Sequence, residues 1–151
     1  MIRFVPYSPE DLARVDRQPA QARWRDKLLT HEYARSVDVP GMAWTALDEG
    51  GRVLGCAGMA PQWEGRVIAW ALFGQSIPKA AWPKIAKKIR NEFHSKLSGH
   101  GSHRVEITVP KDFGPGCRFA FLLGFEVEGL MKHYGPDGSD HYLFSQVIPC
   151  V

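Results

Sequence analysis

Arg66-Val67-Ile68-Ala69-Trp70-Ala71-Leu72-Phe73, then Lys79–Leu97, then Arg104-Val105-Glu106-Ile107-Thr108-Val109 follow one another in mid-chain, and their order decides the fold. The first is an almost unbroken apolar run of strand length, as expected of a strand covered on both faces. The second repeats Ile85, Ile89, Phe93 and Leu97 at intervals of four, with lysines on the other faces. That is the period of an amphipathic helix, and Gly99 and Gly101 end it. The third alternates and stops at Pro110. Strand, helix, strand with apolar strand interiors predicts two parallel neighbours joined by a crossover helix.

Toward the N-terminus, Arg52–Met59 and Ala43–Leu47 read as a hairpin about the turn Asp48-Glu49-Gly50-Gly51. Gly55 and Gly58 inside a strand predict a bulge or the close approach of another backbone. Pro61-Gln62-Trp63-Glu64-Gly65 reads as a second turn. A helical stretch falls within Pro19–Arg35, with Ala22, Leu28 and Leu29 among its apolar positions, and Pro40-Gly41 breaks it. Ser8-Pro9-Glu10-Asp11 carries the signals of a helix start, and Ile2–Val5 is a short first strand. Toward the C-terminus, Cys117–Leu123 is an apolar helix stopped by Gly124. Phe125–Met131 and Asp140–Val147 are strands joined around Tyr134-Gly135-Pro136-Asp137-Gly138-Ser139. The expectation is a single α/β domain over residues 1–151, a mixed sheet with helices on both faces.

The chain has 151 residues, one domain's worth, with 44% hydrophobic and 23% charged residues. That usage excludes disordered, collagen-like and coiled-coil chains. No apolar run approaches the roughly 18 residues of a membrane helix, and no signal-peptide core follows Met1. A soluble intracellular protein with no membrane partner is the expectation. Cys56, Cys117 and Cys150 are dispersed, which argues against a disulfide framework or a zinc finger. The net charge is +3. Its basic residues concentrate between Lys79 and Arg104, where seven face the single acid Glu92. A solvated amphipathic face accounts for that run. Nucleic-acid binding would need interleaved exposed aromatics, and Trp82 and Phe93 read as core instead. His94, His100 and His103 lack a spaced cysteine or acid to complete a metal set, so no metal is expected.

Leu122-Leu123-Gly124-Phe125-Glu126-Val127-Glu128-Gly129 resembles the helix-to-strand turn of the GNAT acetyltransferase superfamily, where a Gly-Phe pair closes the last helix. Asp140-His141-Tyr142-Leu143-Phe144 resembles its final strand, and the order of elements is similar over nearly the whole chain. The short length and Tyr134-Gly135-Pro136-Asp137-Gly138 resemble a bacteriophage-encoded branch that includes internal virion proteins of podoviruses. The resemblance implies a GNAT-like sheet splayed near its centre between Arg66–Phe73 and Arg104–Val109. Acetyl-coenzyme A would lie there, its pyrophosphate at the N-terminus of the following helix.

The family's phosphate loop reads R/Q-x-x-G-x-G/A, and here the corresponding stretch is Gln75-Ser76-Ile77-Pro78-Lys79-Ala80. Gln75 and Ala80 match. Pro78 replaces the central glycine and has no N–H to donate, and Pro83 removes another donor nearby. The resemblance assigns Gln75, Ser76 and Ala80 to the cofactor phosphates. It assigns the backbone of Leu72, Phe73 and Gly74 to polarisation of the acyl carbonyl. The family's general-acid tyrosine falls on Ala120, and its helix-start asparagine falls on Phe113. Tyr134 and Tyr142 are alternative acids. Glu106, on the same strand face as Arg104 and Thr108, is either a general base or the partner of Arg104 or a helix lysine.

Two functions remain open. One is an acyl-coenzyme A-dependent N-acyltransferase using Glu106, with the acceptor amine attacking the thioester directly. The other is a non-catalytic protein of the same fold, binding acetyl-coenzyme A weakly or not at all and serving with a virion or host protein as partner. The corresponding locations are the host cytoplasm or the virion.

Overall fold

The computed structural model describes residues 1–22, 30–97, 101 and 103–147. Seven strands hydrogen-bond in one open sheet, in the order β1-β2-β3-β4-β5-β7-β6. They are β1 (Arg3–Pro6), β2 (Ala43–Leu47), β3 (Val53–Trp63), β4 (Arg66–Phe73), β5 (Arg104–Pro110), β6 (Glu126–Met131) and β7 (His141–Val147). The helices are α1 (Pro9–Arg14), α2 (Pro19–Ala22), α3 (His31–Ser36), α4 (Trp82–Leu97) and α5 (Gly114–Leu122), with a 3-10 turn at Lys79–Ala81 before α4. The mixed α/β architecture agrees with the sequence reading. By backbone proximity the chain divides into two compact units, Met1–Ala60 with Trp70–Lys88 and Pro61–Ala69 with Ile89–Val151.

In the first unit, β1 and β3 flank β2 antiparallel. Ala46 faces Gly55 and Leu47 faces Val53, so the register slips by one residue there. Gly55 also marks the expected close approach of another backbone, whereas Gly58 makes room for the side chains of Ala43 and Trp70. A Cβ on Gly55 would stand 2.3 Å from the Phe73 ring and 2.8 Å from the Leu72 carbonyl oxygen; one on Gly58 would stand 2.9 Å from Trp70. Tyr7, Leu12, Val15, Ala34, Val37, Val53, Cys56 and Leu72 form the core, with Trp70 packed against it. Asp11 ties α1 to the sheet: its Oδ2 accepts from Ser8 N–H at 3.3 Å and from the Thr45 hydroxyl at 2.9 Å.

The single helical stretch expected within Pro19–Arg35 is instead two described helices, α2 and α3. Thr30 caps α3, its Oγ1 accepting from Tyr33 N–H at 3.1 Å. Leu28 and Leu29 lie outside the described residues.

In the second unit, β4 and β5 are parallel, with Arg66, Val67 and Ile68 opposite Arg104, Val105 and Glu106. Both strands run on beyond these three pairs. The turn expected at Pro61–Gly65 is shorter than predicted. β3 continues to Trp63, and Glu64-Gly65 makes the reversal with Gly65 at φ 90°. A proline is compatible with that strand because alternate N–H groups point away from a given neighbour. Trp63 is therefore a strand end, 65% exposed, with the Arg66 guanidinium 4.3 Å above its ring. β4 is less covered than its apolar sequence predicted: Val67, Leu72 and Phe73 are buried but Ala71 is exposed.

α5 starts at Gly114, three residues before the expected Cys117, because Pro115 serves as a helix-opening proline. Its end is a Schellman cap. Gly124 N–H reaches Phe121 O at 3.0 Å, Phe125 N–H reaches Ala120 O at 3.1 Å, and Gly124 has φ 95°. Phe125 then packs edge-on against Phe93. β7 pairs antiparallel with both β5 and β6. Val127 faces Phe144 and Gly129 faces Leu143, which leaves Glu128 as the extra residue of a bulge.

Candidate functional site

The stretch following β4 belongs to the first unit. Gly74 N–H donates to Leu54 O at 2.8 Å, and Gln75 N–H donates to Asp16 O at 2.8 Å. The Gln75 side chain donates to Arg17 O at 2.8 Å, and the Ser76 hydroxyl donates to Asp16 Oδ2 at 3.1 Å. Gln18 adds a bond from Nε2 to Phe73 O at 3.4 Å. The connection between α1 and α2 therefore acts as a brace for this loop. A Cβ on Gly74 would stand 3.0 Å from Asp16 O, so the brace sits directly against the backbone.

Leu72, Phe73 and Gly74 are buried, whereas Gln75, Ser76, Pro78, Lys79 and Ala80 are exposed. Phe73 is wedged edge-on against Trp82, at 5.4 Å between ring centroids. Pro78 precedes the 3-10 turn with φ −58° and ψ 140°, and its carbonyl accepts from Ala81 N–H.

These residues fit an anion by backbone rather than by side chain. Both polar side chains of the loop are turned onto the brace, and one of their partners is a carboxylate. Around buried Ile77, the residues Ser76, Pro78, Lys79 and Ala80 are exposed, and Lys79 brings a positive charge to the stretch. Pro78 carries no N–H within that segment, and Pro83 carries none in the first turn of α4. The Gly74 N–H, assigned above to carbonyl polarisation, is already donated to Leu54.

Glu106 belongs to the second unit. It is 7% exposed and sits between two guanidinium groups. Arg66 donates from Nε to Oε2 at 2.7 Å, and Arg104 donates from Nε to Oε1 at 2.8 Å. Arg104 is also engaged by Glu128, with Nη1 2.9 Å from Oε1 and a second contact through Nη2 and Oε2. Burial raises the Glu106 carboxyl, but the hydrogen bonds from Arg66 and Arg104 outweigh it, and the net shift is downward. Glu128 is held at about 2 by its hydrogen bonds from Arg104 and Ser145. Both carboxyls are therefore stabilised as anions, which makes Glu106 a weak proton acceptor.

Of the two partners offered for Glu106, Arg104 or a helix lysine, the structure shows the Arg104 contact. Arg66 and Glu128 were missed. Arg66 follows from parallel register, which sets it opposite Arg104 and two positions from Glu106. Glu128 follows from the bulge, which sequence periodicity does not show.

Ala120 is 1% exposed within α5, and Phe113 is the residue that precedes the helix as its N-cap. Tyr134 is 54% exposed, with its ring 5.1 Å from that of buried His141. Tyr142 packs against Phe144. Burial pushes the Cys56 thiol up to about 12, as suits an inert core thiol. Among the described residues no group of three or more His, Cys, Asp or Glu side chains is placed to hold a metal. No described helix is long and apolar enough to cross a membrane.

The sequence matches no protein-family model. No curated protein matches it either. Solved structures do. Ard1 from Thermoplasma volcanium superposes with a TM-score of 0.78 at 14% identity, over 98% of both chains. NAA60 from Arabidopsis thaliana, solved in complex with a bisubstrate analogue, gives 0.70 at 21% identity over 99% of this chain and 100% of its own. A GNAT-family acetyltransferase from Bacillus anthracis gives 0.67 at 14% identity over 97% and 94%. At these identities the likeness establishes the fold: the chain has the GNAT acetyltransferase architecture from end to end.

Proposed function

We propose that the protein is an acyl-coenzyme A-binding N-acyltransferase with a weakened cofactor site. The observation that carries the reading is the braced exit of β4. The stretch 75–80, exposed except at Ile77, leads through a 3-10 turn into α4, whose N-terminal end would receive the cofactor's pyrophosphate. The near-complete overlap with acetyltransferase structures supports it. Bound acetyl-coenzyme A would supply the activated acyl group as a thioester.

In this reading the Ser76–Ala80 backbone and Lys79 hold the phosphates. Gln75 and Ser76 position the loop through Arg17 and Asp16 rather than touching the cofactor. The Gly74 N–H is committed to Leu54 and is not available to polarise the acyl carbonyl. Glu106 is an anion that organises Arg66 and Arg104, and the acceptor amine reaches the site already neutral or loses its proton to water.

A second reading has one specific observation in its favour. Ala120 at the general-acid position and Glu106 between two guanidinium groups leave the fold without a conventional proton-transfer pair. That would suit a non-catalytic protein, such as an internal virion component of phage origin. The test is transfer itself: acetyl-coenzyme A with a panel of primary amines, followed by release of free thiol. Amine-dependent thiol release supports the enzyme. Binding without release, on every amine class, supports the second reading.

A further inference from the structure

β6 ends the sheet, and one of its faces is apolar and exposed. Val127 lies opposite Phe144 and Leu130 opposite Tyr142. Phe144 and Tyr142 are two apart on β7 and so share a face. Val127 and Leu130, three apart, therefore share that face too, which is the consequence of the bulge at Glu128. They are 43% and 41% exposed. Phe121 of α5 lies over the same face, 5.3 Å from Phe144, and it and Leu122 are 56% and 60% exposed. The opposite face is polar, for Glu128 is turned there toward Arg104.

Two of the devices that usually blunt an edge, proline and lysine, are absent from this strand, which does carry a bulge and two glutamates. The space beside Gly129 is open, since a Cβ built there meets no heavy atom within 4 Å.

We infer that β6 is a self-association edge, pairing antiparallel with β6 of a second copy of this chain. The strand is self-complementary about the point between Glu128 and Gly129. In that register Val127 opposes Leu130 of the second copy and Leu130 opposes its Val127, both pairs on the apolar face. Glu126 opposes Met131 and lies one residue from Lys132, while Glu128 opposes Gly129. No carboxylate faces a carboxylate, and each strand end brings Glu126 near a lysine. Phe121 extends the apolar cluster on both sides of the two-fold axis, as an isologous interface requires. The pairing also satisfies the outward N–H and C=O groups of both edges.

Sedimentation of the wild-type chain over a concentration series tests this, together with hydrogen exchange at the two ends of the series. The expected result is a reversible dimer whose backbone protection at 126–131 falls on dilution, with β1 unchanged. Val127→Lys/Leu130→Lys should raise the dissociation constant on the order of 10–100-fold, at 1.4 kcal/mol per decade, and leave the far-UV spectrum intact. A chain that stays monomeric at its solubility limit overturns the proposal. So does a dimer whose dilution leaves 126–131 unchanged, or one that persists undiminished in the folded double variant. The wild-type exchange measurement decides the matter even if the double variant does not fold.

Discussion

Arg66 Nε stands 2.7 Å from Glu106 Oε2, across two strands that share only three parallel register pairs. The contact joins the beginning of β4 to the middle of β5. It also consumes the carboxylate that the sequence offered as a general base, since Arg104 takes the other oxygen.

Glu106→Gln preserves shape and removes charge, leaving Arg66 and Arg104 without their shared anion. Breaking a fully buried pair costs about 3–5 kcal/mol. The arginine side chains are 23% and 26% exposed, and solvent screens them. The expected loss is therefore about 1–3 kcal/mol, read from urea denaturation. Acyl transfer per folded molecule should change little. An unchanged midpoint with transfer abolished would return Glu106 to the role of base.

Acid should weaken the protein through the same network. The folded-state values of Glu106 and Glu128 lie below the ordinary 4.5, with Glu128 at about 2. Groups depressed on folding contribute stability above the unfolded value and lose it as protons bind. The contribution should thus be complete above about pH 4.5 and fade toward pH 2. Melting temperature against pH should show this fall, and Glu128→Gln should make it shallower. A wild-type curve that is flat through that window would contradict the assignment.

Two glycines carry backbone requirements of different kinds. Gly124 holds φ 95° in the cap of α5, so Gly124→Ala should cost about 1–2 kcal/mol in left-handed strain. Gly55→Ala would set a methyl 2.3 Å from the Phe73 ring and 2.8 Å from Leu72 O. Overpacking of that kind costs about 1–3 kcal/mol, and here it presses on the strand that leads into the candidate loop. Thermal denaturation should show both losses, and Gly55→Ala should also weaken cofactor binding.

Much of this architecture was legible in the sequence because apolar period and turn residues act locally. The intervals of four in α4, the alternation in β5 and the Gly-Phe turn after α5 each carried their own reason. The α5 start was misread because Gly114-Pro115-Gly116 resembles a breaker, although a proline in the first helical turn favours a start. The β3 end was misread because Pro61 suggests a turn when only Glu64 and Gly65 reverse the chain. The brace of Asp16 and Arg17 on Gln75 and Ser76 was invisible, since those partners lie some 60 residues apart and meet only through the sheet. The bulge that aims Glu128 at Arg104 is likewise a product of pairing between β6 and β7.

Pro78→Ala tests whether a missing donor weakens the phosphate loop. Pro78 has φ −58° and ψ 140°, which alanine adopts freely, so the loop should keep its shape. The new N–H can supply one charge-assisted hydrogen bond, worth about 1.5–3 kcal/mol. Affinity for acetyl-coenzyme A should rise on the order of 10–100-fold, measured by fluorescence competition. Equal affinity in the two proteins would remove Pro78 from the account.

Calorimetric titration of the wild-type protein with acetyl-coenzyme A tests the central claim most directly, because it asks only whether the loop after β4 holds the cofactor. The account predicts saturable binding of one cofactor per chain, weaker than micromolar, displaced by free coenzyme A and reduced by Lys79→Glu. Absence of binding at millimolar cofactor would contradict the acyltransferase reading, and submicromolar affinity would contradict the weakened site.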